Sequence, residues 1–331
     1  GKTFTIDFDG HTYKVNKPGA GSTGTETAAF QLIKGQTITF KNGTICADAD
    51  NLQEATAPAK NILRFFQSYA NVNFVDMTID GTNINGNNSV IEFANGNVSI
   101  TGSTSITAKP GAKAINVDTW KIDSYSGGAH VTINTTGSIG DIYLYSEGNK
   151  TEGFTKSTLS ISGGIFGSVT GDENKEYIAS ITGGTFSSDP TAYVAEGYIA
   201  RENNGKYVVS MVGTAENPYT LNEFNALTKL PAGRTELYVD IGDVSLADGD
   251  VTIGNKNICD VWTWDRDMSH NVGDILEDGR KVYMVRESDT IYSSNKAGIT
   301  LYISGSVKEN PEGGLNQSDS HVITFSIPDA S

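Results

Sequence analysis

The residues best suited to chemistry lie in one short segment of the second half of the chain, from Asp260 to His270 (DVWTWDRDMSH). Side chains two residues apart on a strand face the same side, so Trp262 and Trp264 would present one aromatic surface. Such a surface can stack on a sugar, and the charged residues that follow can hydrogen-bond its hydroxyls. The predicted ligand-binding residues are Trp262, Trp264, Asp265, Arg266 and Asp267. The alternative is that one Trp fills a small core and the charges cap a turn.

A second aromatic candidate lies between two strand-like segments of the first half. Trp120 and Tyr125 fall within residues 117–125 (VDTWKIDSY), at the edge of a loop. A loop aromatic in this place can line a glycan groove, or it can shield the corner of a repeat from water. Both residues are predicted ligand contacts.

Other kinds of site find little support in the sequence. The two cysteines, Cys46 and Cys259, and the four histidines form no zinc motif. No Gly-x-Ser-x-Gly elbow lies between a strand and a helix. We expect both cysteines to be free, buried thiols. No cofactor is predicted, although Ca²⁺ stays open because Asp and Asn oxygens in loops can hold it.

The charge of the chain limits its partners. The 331 residues carry a formal net charge of -15, whereas binding a nucleic-acid backbone needs clustered Lys and Arg. No stretch approaches the ~18 apolar residues of a membrane span. We therefore predict no nucleic-acid binding and no membrane insertion of this segment. The chain starts at Gly1 without a secretion leader, and we expect any such leader to have been removed or to lie outside the segment.

Self-similar segments that alternate apolar and polar residues dominate residues 1–210. They recur every ~20 to 35 residues, which is the range of solenoid repeats and leaves room for two or three strands per repeat. The six segments are residues 37–43, 72–81, 98–102, 131–135, 159–164 and 179–184. The sequence therefore predicts a repeat architecture built from short strands.

A second strand precedes most of these segments. The second strands are residues 30–33, 62–66, 89–93, 114–117 and 142–145. Turn formers separate the paired strands at 34–35, 94–96 and 126–128, where glycines can adopt a positive φ. The predicted unit is a strand, a tight turn, a strand and a longer return.

Stacking explains why such units would coil rather than form separate hairpins, because an isolated two-stranded unit is marginal in water. In the pair 161–166 (ISGGIF) and 181–186 (ITGGTF), the glycines allow a sharp corner and the Phe can cover the end of the core. Residues 190–209 would close the body with an antiparallel cap. Asn204-Gly205 suits a hairpin turn within it.

The phrases ITFKNGTI at 38–45, VTINTTG at 131–137 and LSISGGIF at 159–166 resemble those of right-handed parallel β-helix (pectate-lyase-like) surface proteins of gut bacteria. The resemblance covers about residues 1–210. It implies an all-β fold, a single-stranded right-handed parallel β-helix with a terminal cap, and an extracellular or cell-surface location.

Enzymes on that scaffold cleave acidic polysaccharides, as lyases that use Ca²⁺ and a basic residue or as hydrolases with paired carboxylates. The candidates in this sequence are Asp76, Asp80, Asp118 and Asp123, with Arg64 and Lys121 as basic residues. The simpler interpretation is that the acidic residues face solvent or form turns. His11 and His130 stand alone in the sequence.

Residues 211–331 predict a separate, smaller β-rich domain with one short helix at its start. Thr220 and Glu223 form a capping box before Phe224 and Leu227. The predicted strands that follow are residues 236–241, 250–253, 281–285, 299–303 and 321–325. A second β-helix segment and a β-sandwich both fit this pattern.

Acidic charge, repeat architecture and few titratable clusters favour a non-catalytic module for adhesion or glycan binding. The expected partner is a glycan or a host surface, and the expected state is a monomer. Two alternatives stay open: a polysaccharide lyase or glycoside hydrolase, and a passive structural stalk.

Overall fold

The computed structural model describes residues 1–22, 25–50, 62–84, 86, 88–120, 127–146, 155–173, 176–227, 231–245, 252–253, 259–262, 281–284, 291–294, 300–308 and 321–325. The chain divides into two compact units, Gly1–Ser210 and Met211–Ser331. Strands dominate the described residues and helix is scarce, which confirms the predicted all-β class.

Nineteen strands are described between residues 3 and 211. They are β1 (Thr3–Asp7), β2 (Thr12–Val15), β3 (Ala20–Ser22), β4 (Thr25–Leu32), β5 (Thr37–Ala47), β6 (Arg64–Ser68), β7 (Asn71–Gly81), β8 (Ser89–Phe93), β9 (Gly96–Gly102), β10 (Ser105–Ala108), β11 (Lys113–Trp120), β12 (Gly127–Ile139), β13 (Ile142–Ser146), β14 (Ser157–Phe166), β15 (Val169–Gly171), β16 (Tyr177–Ile181), β17 (Gly184–Phe186), β18 (Tyr198–Asn203) and β19 (Lys206–Met211). Each predicted strand of this region overlaps one of them.

Most of these strands stack in three parallel ladders, which we name A, B and C. Ladder A joins β1, β5, β7, β9, β12, β14 and β16. Ladder B joins β4, β6, β8, β11, β13 and β15. Ladder C joins β2, β10 and β17 to the C-terminal parts of β5, β7, β12 and β14. The chain passes through A, C and B in turn, and we call each pass a repeat.

The core consists of apolar side chains that stack in register from one repeat to the next. In ladder A, Phe40 pairs with Phe74, and Phe74 pairs with Ile100. All three side chains are buried, and the two Phe rings stack with centroids 5.5 Å apart. Full burial of such a side chain stabilises the fold by ~1.5 to 3 kcal/mol. The apolar positions of the repeated segments thus face the interior, as their alternation predicts.

The tight turns between ladders B and A depend on glycine. Gly35, Gly96 and Gly127 adopt φ values of 85°, 85° and 117°, in the region that L-residues with a side chain rarely occupy. This confirms the predicted turns at 34–35 and 94–96 and explains their residue type. Of the turn predicted at 126–128, Gly127 and Gly128 belong to β12, and residue 126 lies outside the described residues.

The predicted longer return contains a third strand in most repeats, and these strands form ladder C. β5 and β7 each run for 11 residues and pass from ladder A into ladder C without a loop. The bend lies at Asn42 and Asp76, whose φ values are 57° and 54°. Asp76 is fixed there because its Oδ1 accepts the backbone N–H of Ser103 at 2.8 Å. At these two positions a polar residue with positive φ makes the bend, whereas Gly102 and Gly164 have positive φ at the corresponding place in later repeats.

The last repeat ends as the sequence predicts. The rings of Phe166 and Phe186 stack with centroids 4.9 Å apart and 15° between their planes, and both are buried. β19 pairs antiparallel with β17, with Gly184 opposite Val209. Asn204 and Gly205, both at positive φ, join β18 to β19. An antiparallel strand therefore covers the final strand of the body.

The second unit holds the predicted short helix and two sheets. The helix α1 (Leu221–Asn225) begins at Thr220, and both hydrogen bonds of the capping box with Glu223 are present. The strands are β20 (Tyr219–Thr220), β21 (Glu236–Ser245), β22 (Thr252–Ile253), β23 (Cys259–Trp262), β24 (Lys281–Met284), β25 (Ile291–Ser294), β26 (Thr300–Lys308) and β27 (His321–Phe325). They pair as β20-β21-β26-β25 and as β22-β27-β23-β24. Parallel and antiparallel pairs occur in both sheets.

Candidate functional site

A groove of about 350 Å³ lies at the corner where ladder B turns into ladder A. We call it the corner groove. Five successive repeats contribute to it, and its side chains are those of Lys34, Tyr69, Asn71, Asn95, Asn97, His130 and Thr155. Each repeat turns from ladder B into ladder A at the same corner. Residues that are far apart in the sequence therefore become neighbours there.

Glycines allow neighbouring repeats to pack closely at the corner groove. A side chain at Gly96 would collide with the carbonyl oxygen of Ala70, and one at Gly128 would collide with the backbone of Ser157. Adjacent repeats therefore approach backbone to backbone at this corner. The floor of the groove is main chain, and the polar side chains surround it.

The amide side chains are held in place by the neighbouring repeats. The backbone N–H of Asn97 donates to Oδ1 of Asn71 at 2.8 Å, and Nδ2 of Asn71 donates to Oγ1 of Thr37 at 3.4 Å. Oδ1 of Asn95 accepts the backbone N–H of Gly96 at 2.8 Å. The side chain of Asn97 is exposed. A fixed Asn71 beside an exposed Asn97 gives the groove an amide that can donate to and accept from a ligand.

His130 continues the row of Asn71 and Asn97. It pairs in register with Asn97 on one side and with Thr158 on the other. Its Nδ1 lies 3.1 Å from Oγ1 of Thr158, and this contact orients the ring. The groove thus combines an imidazole, amides and a hydroxyl, all suited to the hydroxyl groups of a sugar.

The corner groove has a different charge from the protein as a whole. No Asp or Glu belongs to its described lining, in which Lys34 is the basic side chain, although the chain carries a formal net charge of -15. The largely buried ring of Tyr69 adds an apolar surface. The groove is polar and free of carboxylates in its described part, which suits recognition of hydroxyl-rich molecules.

Comparisons with protein-family models, with curated proteins and with solved structures find no match to this chain. The interpretation of the groove rests on its own residues.

A second groove, of about 380 Å³, lies at the corner between ladders C and B. Its carboxylate, Asp141, accepts the backbone N–H of Ser168 at 2.7 Å and pairs with Nζ of Lys113 at 3.2 Å. Partial burial by itself raises the pKa of Asp141, but the hydrogen bonds from Ser168 and Lys113 outweigh burial and leave the pKa below its ordinary value. The Asp141 carboxylate therefore links its own repeat to the neighbouring repeats through Ser168 and Lys113.

Two of the predicted enzyme candidates meet in a buried charged cluster. Arg64 and Glu92 form an ion pair, with 13% and 7% of their side chains exposed, and Asp118 is 2% exposed. Burial lowers the pKa of Arg64, while the charge of Asp118 acts in the opposite direction. Nε2 of Gln67 donates to Oε1 of Glu92 at 3.3 Å. The sequence missed Glu92 because it lies between apolar residues of a strand.

The other acidic candidates have turn-forming roles where they are described. Asp76 holds the bend of β7, and Oδ1 of Asp80 accepts the backbone N–H of Thr82 at 3.0 Å and its hydroxyl at 2.6 Å. This supports the simpler interpretation made from the sequence. Lys121 and Asp123 lie outside the described residues.

The structure places one predicted aromatic contact beside the corner groove. Trp120 is the last residue of β11 and pairs with Gly127, which lines the groove; the Trp120 side chain lies outside the description. Trp262 ends β23 in register with Met284, again without a described side chain. The remaining predicted contacts lie outside the described residues: Tyr125, Trp264, Asp265, Arg266 and Asp267.

Two further findings concern the expectations for metals and membranes. Among the described residues, no three His, Cys, Asp or Glu side chains come together as a metal site. The described part of the chain also holds no helix of the length and apolarity that a membrane span needs.

Cys46 is unpaired and half-buried rather than buried, which corrects the prediction for this residue. Burial raises the pKa of its thiol.

Proposed function

We propose that residues 1–210 form a right-handed parallel β-helix that binds a glycan in the corner groove without cleaving it. The protein acts at the bacterial cell surface or after secretion, as the resemblance in its repeated phrases implies. Its partner is a glycan or a glycosylated host surface.

The three parallel ladders support this assignment of the fold. Seven strands follow one another in ladder A with register pairs such as Ile38 with Val72 and Val72 with Val98. Apolar side chains fill the space between ladders. Continuous parallel pairing around one core is the arrangement that a β-helix requires.

The observation that carries the binding function is the composition of the corner groove. Asn71, Asn97 and His130 stand in one row across three repeats. Oδ1 of Asn71 accepts the backbone N–H of Asn97, and Nδ1 of His130 lies 3.1 Å from Oγ1 of Thr158. A glycan gains affinity from polar groups that are already positioned, because little side-chain entropy is lost on binding. The groove offers such groups beside the tyrosine ring of Tyr69.

A glycan-array screen of the purified chain tests the proposal. The screen is run with and without Ca²⁺, and aliquots with acidic polysaccharides are assayed for unsaturated and reducing-end products. Saturable binding without product supports the proposal. Turnover would show that the protein is an enzyme and overturn the proposal. If neither binding nor turnover is seen, the passive structural stalk is the function that stays.

The composition of the buried charged cluster suggests a second candidate function, cleavage of an acidic polysaccharide. Arg64, Glu92 and Asp118 supply two carboxylates and a cation in one place, which is the set a hydrolase or lyase uses. Their burial favours a structural ion pair instead. Product formation that Glu92→Gln abolishes, in a variant that keeps its fold, would support the enzyme.

A further inference from the structure

The outward side of ladder A carries two parallel rows of polar side chains, with hydroxyls, amides and the imidazole of His130. From β5 to β14 the row nearest the corner consists of Thr37, Asn71, Asn97, His130 and Thr158, and three of these residues line the corner groove. On β16 the row continues with the exposed Ile178. The second row runs from Thr39 through Asn73, Ser99, Thr132 and Ser160 to Ser180. We call the two rows the ladder A platform.

The platform follows from the alternation of the repeated segments. Each of its residues flanks a buried apolar residue, as Thr37 and Thr39 flank Ile38 and as Asn71 and Asn73 flank Val72. Hydrogen bonds link neighbouring repeats along the rows, with Nδ2 of Asn73 donating to Oγ1 of Thr39 at 3.2 Å. These bonds fix the side chains of Asn71 and Asn73, and the strand register sets the order of the other positions.

The spacing of the platform is that of a β-sheet. Neighbouring strands lie ~4.8 Å apart, so the six positions of the second row span roughly 24 Å, and the two rows lie ~6.6 Å apart. The same kind of group therefore recurs at a constant interval over a length far greater than that of one sugar.

The platform carries no carboxylate, lysine or arginine, in a chain with a formal net charge of -15. Charge returns in the next outward row, where Nζ of Lys41 pairs with Asp7 at 2.9 Å. In ladder B, Arg64 of β6 and Glu92 of β8 form an ion pair. The absence of charged side chains is thus a property of the two platform rows and not of outward positions in general.

We propose that the ladder A platform extends the corner groove into a binding surface for a neutral, linear polysaccharide that lies across the strands. This inference rests on the proposed function and names the class of its ligand. A polymer with repeated hydroxyls can meet one weak contact per repeat, and the contacts add because the ligand is already held at the groove. An anionic chain would gain no partner along the rows.

Titration calorimetry with neutral oligosaccharides of two to six sugars, drawn from β-glucan, xylan and mannan, tests this inference, with polygalacturonate as the acidic probe. For the neutral series that binds, we expect affinity to rise roughly tenfold or more from the shortest to the longest member, because each further hydrogen bond contributes a modest amount. The double variant Thr132→Val with Ser160→Ala should remove most of this gain and leave the shortest member within about twofold of wild type. The matched control, Thr170→Val with Ser188→Ala, changes exposed hydroxyls elsewhere and should keep the gain.

The outcomes separate this inference from the proposed function. Equal affinity at all lengths, unchanged in the platform variant, would overturn the inference and leave binding at the corner groove intact. Preference for polygalacturonate would overturn the neutral ligand class. If the wild-type chain shapes ice crystals and the platform variant does not, the platform orders water rather than a polysaccharide, and the inference would be overturned. No binding of any glycan would overturn both proposals.

Discussion

The backbone N–H of Asn97 donates to Oδ1 of Asn71 at 2.8 Å, so the side chain of one repeat is fixed by the backbone of the next. The two residues are 26 positions apart in the chain and adjacent in the ladder. Recognition groups in the corner groove are positioned by the same parallel pairing that forms the fold. The same hydrogen bonds therefore serve stability and binding. Unfolding experiments test the first, and ligand titrations test the second.

The corner before Phe166 should be among the positions least tolerant of a side chain. Gly164 has φ 135°, and an added Cβ would lie 2.7 Å from the Phe166 ring, whereas the positive-φ Gly111 faces open space. We expect Gly164→Ala to lower the free energy of unfolding by ~2 to 4 kcal/mol and Gly111→Ala by ~1 kcal/mol. Urea denaturation followed by circular dichroism measures both, and equal losses would contradict the packing described here.

The ion pair between Arg64 and Glu92 should be costly to break. Glu92→Gln keeps the shape but leaves the Arg64 cation without its nearest carboxylate, so we expect a loss of ~3 kcal/mol in the free energy of unfolding. The exposed Glu202 provides the control, because Glu202→Gln should change stability by no more than ~0.5 kcal/mol. If the two variants are equally stable in urea, the buried pair has no structural role.

Asp141 should make the protein sensitive to acid. Its pKa lies below the ordinary value of 3.8, so the unfolded chain takes up the proton first as the pH falls. The stabilisation is therefore complete above pH 3.8 and is lost as the pH falls through the folded pKa. Asp141→Asn should flatten the acid limb of the stability curve, whereas Asp50→Asn should not. Parallel curves for wild type and Asp141→Asn would contradict this role.

Tyr177 should titrate late. Burial, together with a hydrogen bond to Tyr193, raises its pKa to about 12. Its contribution to stability is complete below its ordinary pKa of 10.0 and is lost as the pH rises to about 12. Absorbance titration should show this late tyrosine, and Tyr193→Phe should shift it toward lower pH. Tyr13→Phe, at an exposed ring, should leave it in place, and a Tyr193→Phe profile identical to wild type would contradict the assignment.

Features governed by local residue type could be read from the sequence. Gly35 and Gly96 mark turns because they adopt positive φ, and Thr220 with Glu223 marks the start of α1 because both capping bonds are local. Ladder C was harder to foresee, since β5 and β7 bend at Asn42 and Asp76 and then continue as strand.

The corner groove could not be read from the sequence in the same way. Lys34 and Thr155 both line it, yet more than a hundred positions separate them, and only the register between repeats brings them to one corner. A partial signal existed, because Asn71 and Asn97 each precede a valine of a repeated segment. Trp262 and Trp264, which are close together in the sequence, predict a separate ligand surface whose side chains lie outside the described residues.

Binding of a neutral hexasaccharide to groove variants tests the central claim most directly. Wild type is titrated beside Asn97→Ala and His130→Ala, with Asn203→Ala and His11→Ala as matched changes outside the groove. Each groove variant should weaken binding roughly tenfold, about 1.4 kcal/mol, because a hydrogen bond to the glycan is lost. The two controls should match wild type. Undiminished binding by both groove variants would contradict a glycan site at this corner.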